Sequence, residues 1–237
     1  MGSLLVRGML AGLLAGFLAF GFAKVFGEPQ VDRAIGFEEQ LAKAKGEPEE
    51  PEIVSRAVQA SIGLFTGVTV VGTAMGGLFA LAFAFLNGRI IHQSPRTTAI
   101  IIAALGFIAV YLVPDLKYPA NPPAVGSPET IGYRTQLYFG MIAFSLAALA
   151  IAISAGRQFV QSVGTWNAVL IGAAVYIVLT SIAGYVLPPI NEVPDGFPAD
   201  LLWKFRVVSA GIQAILWTAI ALIFGASLER ARTKEAY

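Results

Sequence analysis

The sequence predicts an all-α polytopic membrane helix bundle, and three observations carry that prediction. Six long apolar stretches divide the chain, at residues 4–26, 53–86, 98–113, 135–155, 166–187 and 203–224. Hydrophobic residues make up 56% of the 237 and charged residues only 13%, with a mean hydropathy of +0.71; a soluble domain carries about 25% charged residues. Every acidic residue except Glu229 and Glu235 falls in the gaps on one side of those stretches.

A helix needs about 20 apolar residues to cross roughly 30 Å of hydrocarbon. Barrel strands would alternate with period two, whereas these runs are apolar on every face, so helices are expected. The first stretch is too long for a secretory signal and is followed by no A-x-A triplet, so it is read as an uncleaved span. The second is longer than a crossing requires, so its start projects beyond the bilayer. The third is the shortest; without it the count would be five rather than six. The whole chain reads as one integral membrane domain, residues 1–237.

With six spans both termini share a side. That side carries Arg7, Arg89, Arg96, Arg157, Arg230, Arg232 and Lys234 in short segments, which places it in the cytoplasm by the bias of Lys and Arg in short loops. The opposite side is the more elaborate. Residues 31–45 space Val31, Ala34, Ile35, Leu41 and Ala42 along one helical face, as an amphipathic helix on the membrane surface would. A stiff acidic connector, GEPEEPE, follows at 46–52. The second outer loop, 114–133, holds Pro114, Pro119, Pro122, Pro123 and Pro128 and should be extended and rigid. Tyr111, Tyr118, Tyr133, Tyr138, Tyr185 and Trp203 near this boundary read as an interfacial belt.

Each outward-going span leaves through a proline beside an acid or amide: Glu28-Pro29, Pro114-Asp115, then Pro188-Pro189 with Asn191-Glu192. Each returning span begins with an acid and then a base: Glu52 and Arg56, Glu129 and Arg134, Asp200 with Lys204 and Arg206. Three helical hairpins of similar construction would produce this recurrence; ordinary collection of prolines and charges at span ends is the alternative.

Within the spans, Gly8, Gly12 and Gly16 form consecutive small-xxx-small steps, and Gly63/Gly67 and Gly72/Gly76 do the same in the second. Such stripes let helix backbones approach closely, so the first two helices are expected in the bundle interior, with a homo-oligomer seam as the competing reading. No ionisable residue lies at the centre of any span. The polar centre offers Thr66, Thr69, Thr73, Ser145, Thr180, Ser181 and Gln213, of which Gln213 is expected to hydrogen-bond across helices, with a substrate contact as the alternative.

Enzyme classes find little support. One histidine, His92, rules out H-E-x-x-H, and the absence of any Gly-Lys dipeptide rules out a Walker A loop. Cysteine is absent, so thiolate metal sites and cysteine nucleophiles are absent too. No enzymatic activity, no permanently bound cofactor and no nucleic-acid partner are expected.

Three segments resemble a known family: FGEPQVDRAIGFEE (26–39), SRAVQ (55–59) and PDLKYPANPPAVGSPETIGYRTQLY (114–138). They look like the CbtA family of predicted cobalt transporter subunits, and the resemblance extends across nearly the whole chain. It implies a bacterial inner-membrane protein linked to B12 metabolism, with Co²⁺ as the transported ion. It also implies a small, single-span, histidine-bearing partner besides the membrane lipids, and five spans where hydropathy counts six. Co²⁺ takes nitrogen and oxygen ligands. This chain has carboxylates and amides but almost no imidazole, so a partner supplying histidines would complement it.

On position and chemistry, an outer capture site would draw on Glu28, Asp32, Asp115, Asn121, Asn191 and Glu192, with Arg56, Arg134 and Arg206 bracing the acidic loops. The alternative is a non-transporting scaffold or assembly subunit whose acidic outer loops dock a partner.

Overall fold

In the computed structural model, which describes residues 2–46 and 53–235, every apolar stretch lies on a helix and no strand occurs among the described residues. Helix α1 is Gly2–Phe22, α2 Glu28–Lys45, α3 Leu64–Leu86, α4 Pro95–Gly106, α5 Val113–Lys117, α6 Ile131–Val186 and α7 Ala199–Glu235. Three π-helical turns interrupt the α geometry without ending the helices: Ala23–Gly27, Gln59–Gly63 and Phe107–Leu112.

Among the described residues, five continuous segments are long and apolar enough to cross a membrane. The fourth, Pro128–Val186, doubles back. Gly164 has φ 79° and ψ 163°, outside the helical region, a conformation glycine adopts without a Cβ clash. Ser145 and Tyr176 share a buried 2.6 Å hydrogen bond, yet 31 residues of straight helix would hold them about 46 Å apart. Residues 131–163 and 165–186 are therefore two antiparallel arms, and the segment supplies two of six apolar helical arms.

Two of the π-turns explain why prolines fail to terminate their helices. A proline ring clashes with the carbonyl four residues back and removes a donor. For Pro29 and Pro114 those carbonyls belong to Val25 and Val110, and both lie inside π-turns. The wider turn moves the carbonyl aside, as insertions of this kind do at kinks. Here the expectations need correction. The helix runs unbroken from Gly2 to Lys45 rather than restarting near Val31 as a separate surface helix, and it stops at Gly46 with the left-handed φ of 72° typical of a glycine cap. The third span runs over Pro95–Lys117 instead of 98–113. Ser94 caps its start, accepting from the Thr97 N–H at 3.2 Å, with Pro95 at the first helical position. The connector at 47–52, with Glu52, lies outside the described residues.

The chain divides into two compact units. The first comprises Met1–Phe107, Asn121–Ala124 and Asp195–Tyr237; the second Ile108–Ala120 and Val125–Pro194. In the first unit the core joins four helices: Ala11, Ala15 and Ala19 of α1, Phe79, Ala80 and Phe83 of α3, Ala99, Ile102 and Ala103 of α4, and Leu216, Ile220 and Phe224 of α7. Phe224 sits edge-on to both Phe79 and Phe83.

Helices α1 and α3 touch through their backbones. A methyl group added at Gly72 would lie 2.7 Å from the Gly12 carbonyl oxygen, and one at Gly16 2.9 Å from the Thr69 Cα; Gly8, Gly12 and Gly76 allow still less room. The antiparallel register continues outward turn by turn through Phe20 against Phe65, Lys24 against Ala60 and Glu28 against Arg56. The small-residue step of the second span is thus Thr69/Gly72/Gly76. Gly67 faces open space and Gly63 meets only the Val58 carbonyl of its own segment, so neither packs against α1; they lie on faces of the helix turned away from it.

In the second unit, Ala148, Ala152 and Tyr176 pack with Ile108, Val113 and Leu179. Gly156 lies against the Ala168 carbonyl and Gly172 against that of Ala152, which repeats the close backbone approach between the arms of α6. Thr69, Thr73 and Thr180 satisfy their hydroxyls on carbonyls of their own helices, as hydroxyls in spans commonly do. Gln213, half-buried on α7, makes no hydrogen bond with any described residue, so the expected interhelical bond does not form.

Gly12→Val drives a branched side chain into the Gly72 backbone and should destabilise the protein by at least the 1–3 kcal/mol usual for overpacking. Gly67→Val, facing open space, should change the melting temperature in detergent little. Equal melting temperatures for the two variants would contradict the backbone contact.

Candidate functional site: arginine-braced acidic helix ends

The register of α1 on α3 carries the chain outward to the first charged group. The π-turns Ala23–Gly27 and Gln59–Gly63 face one another, and Lys24 Nζ donates to the Ala60 carbonyl across them at 2.8 Å. Two widened turns at one level keep the register intact, so Glu28 arrives opposite Arg56. Glu28 is 8% exposed. The Arg56 Nη2 donates to Glu28 Oε2 and its Nε to Asp32 Oδ1 at 2.9 Å. Glu28 and Asp32 are one turn apart on α2, which lets one planar guanidinium reach both.

Also in the first unit, Arg33 on α2 reaches Asp200 near the start of α7 at 3.1 Å, and Lys204 approaches the same carboxylate at 3.5 Å. Phe37 and Phe197 pack edge to face beside them, ring centres 5.0 Å apart. Hydrogen bonds from Arg33, its positive charge and Lys204 hold Asp200 below the usual carboxylate range. Arg206 donates to the Asn121 side-chain oxygen at 2.9 Å.

The second unit has its own brace. Glu192 accepts from the Ser127 backbone N–H at 2.8 Å and the Thr130 hydroxyl at 2.9 Å, with Arg134 Nε at 3.5 Å. Those two hydrogen bonds and then the guanidinium lower its pKa. Arg134 also donates to the Thr130 hydroxyl and the Ser127 carbonyl. Gly126, at φ 117°, makes room for that guanidinium: a Cβ there would overlap it. Asp115 accepts from the Ala120 N–H at 3.1 Å, closing the turn after α5, and Tyr118 donates to the Pro188 carbonyl at 3.0 Å. Burial raises the Tyr118 pKa.

Of the residues singled out from sequence, Glu28, Asp32 and Asn121 lie in the first unit, and Asp115, Asn191 and Glu192 in the second. Glu28 and Asp32 come together on Arg56. Glu192 meets Arg134, while Asn191 is exposed. No group of three or more His, Asp or Glu able to hold a metal ion occurs among the described residues. The carboxylate beside Arg134 is Glu192, brought by the α6 hairpin, while Glu129, five residues before Arg134, is exposed. Sequence reading missed Lys24, Arg33, Ser127, Thr130 and Gly126, because each acts on a partner set by tertiary packing.

The family model described as probable cobalt transporter subunit (CbtA) matches residues 1–229. No curated protein and no solved structure matches the chain.

Arg56→Ala leaves Glu28 nearly enclosed without its counter-charge and should cost about 3 kcal/mol, the lower end for broken buried pairs. Glu28→Gln/Arg56→Gln should recover part of that loss in denaturant melts. For Glu192 the sign follows from its lowered pKa: the stabilisation is complete above the ordinary carboxylate pKa of 4.5 and is lost as pH falls through the lower folded value. Melting temperature against pH should therefore fall less steeply below 4.5 in Glu192→Gln than in the parent; superimposable acid limbs would remove Glu192 from the brace.

Proposed function

Because the chain belongs to the CbtA family of probable cobalt transporter subunits, we propose that it is the multi-pass inner-membrane subunit of a cobalt-uptake system serving B12 metabolism. The observation that carries this reading is the family match over residues 1–229, on a chain whose five continuous apolar segments are each long enough to cross a membrane. Both termini lie in the cytoplasm in this reading, and the acidic loops face outward.

The acidic groups act as a field that gathers cations, not as a resident ligand shell. Glu28 and Asp32 together carry one more charge than Arg56 neutralises, and Asp32, with 61% of its side chain exposed, meets the ion first. Asn121 in the first unit and Asp115, Asn191 and Glu192 in the second supply further oxygen ligands in this reading. Salt screens such a field beyond about 8 Å, so it raises local concentration near the surface and little further out. Oxygen donors alone discriminate poorly among divalent ions, and a small histidine-bearing single-span partner supplies the selective ligands. An inside-negative potential contributes about 4.6 kcal/mol per 100 mV to entry of a divalent ion, so ATP hydrolysis by this chain is unnecessary.

One observation favours a rival, a non-transporting scaffold that docks its partner through the acidic loops: no ionisable residue sits at the centre of any span. Transport assays separate the two. Liposomes holding the protein and its partner should accumulate Co²⁺ under an imposed negative-inside potential. Asp32→Asn, Glu28→Ala and Asp115→Ala should reduce uptake at limiting cobalt while leaving it nearly normal at saturating cobalt. Absence of cobalt movement with and without the partner, alongside stoichiometric co-purification with another complex, would favour the scaffold.

A further inference from the structure

In the first unit a groove of about 220 Å³ lies between the π-turn Ala23–Gly27 with the first turn of α2 on one side and the start of α7 on the other. Val25, Phe26 and Gln30 form one wall and Trp203, Lys204, Val207 and Val208 the other. Its floor is built by close approach of the two helices. A Cβ on Gly27 would lie 3.6 Å from Val208 Cγ1, and Gly211 makes room for the Phe22 ring one turn deeper.

The lining is ordered by depth. Val25, Phe26, Val207 and Val208 belong to the apolar parts of their helices, while Gln30 and Lys204 sit at the outer rim. Trp203, 69% exposed, stands beside Lys204, where an amphipathic ring suits the membrane boundary. Lys204 shares Asp200 with Arg33, so two cations face one carboxylate and a positive charge is left over at the rim. An apolar slot topped by a donor and a surplus positive charge matches an acyl chain topped by a phosphate. A helix is 10–12 Å across with its side chains and does not fit this volume.

We propose that this groove is a glycerophospholipid site, with the phosphate at Lys204 and Gln30 and one acyl chain along Val25, Phe26 and Val207. Trp203 reports its occupancy. The full-length protein carrying Trp166→Phe and Trp217→Phe retains Trp203 as its only tryptophan, and the Trp217 indole N–H, which has no hydrogen-bond partner among the described residues, is lost without breaking a bond.

In nanodiscs doped at low mole fraction, brominated phosphatidylglycerol should occupy the groove about fivefold better than brominated diacylglycerol, the weight of one lysine at a membrane surface. That ratio should be read from Trp203 quenching. Lys204→Ala should abolish the preference, and Val207→Phe, which fills the slot, should weaken quenching by both lipids. Native mass spectrometry should show phospholipid retained by the parent protein and lost from Lys204→Ala. Equal quenching by the two lipids would mean bulk lipid only and overturn the proposal, as would a preference that survives Lys204→Ala.

Discussion

The backbone contact between α1 and α3 is the constraint on which the outer architecture of the first unit depends. Gly8, Gly12, Gly72 and Gly76 leave no space for a Cβ, so the two helices meet in one register. In hydrocarbon no hydrophobic driving force separates one apolar face from another, and close van der Waals packing selects the register instead. Once set, it propagates through Phe20 and Phe65 to the facing π-turns and brings Glu28 to Arg56. A slip of one turn would leave a nearly enclosed carboxylate without its guanidinium.

The π-turns couple that packing to the charged surface. They let Pro29 and Pro114 sit within continuous helices, so Glu28 is carried inside one helix and Asp115 in the last turn of another, not on a loose loop. Position on a helix fixes direction, and direction is what allows one arginine to hold two carboxylates. The second unit reaches a similar result by another route. There the fold-back at Gly164 returns the chain so that Glu192 meets Arg134, Ser127 and Thr130.

These braces bear on the chemistry of a cobalt transporter subunit. A carboxylate already held by a guanidinium attracts a cation more weakly than a free one, but it is kept in place. In the proposed reading such carboxylates add to a field that gathers divalent ions without holding them.

The sequence by itself determined the class of the protein. Length and polarity of the apolar runs dictate membrane helices, since a chain in hydrocarbon must satisfy its own backbone, and the segments at 26–39, 55–59 and 114–138 pointed to the family. Gly8, Gly12 and Gly16 were legible as a packing face because small-residue spacing is a local property. Which stripe they meet was not, as Gly63/Gly67 and Gly72/Gly76 have the same spacing and only the rotation of α3 distinguishes them. Pro29 and Pro114, read as helix exits, lie within helices because a π-turn leaves no compositional mark, whereas Pro188 and Pro189 follow a helix end at Val186. Tertiary structure alone decided the charge pairs. Glu28 with Arg56, Asp200 with Arg33 and Glu192 with Arg134 are far apart in sequence, and a long-range ion pair is specified by helix register and hairpin geometry rather than by residue order.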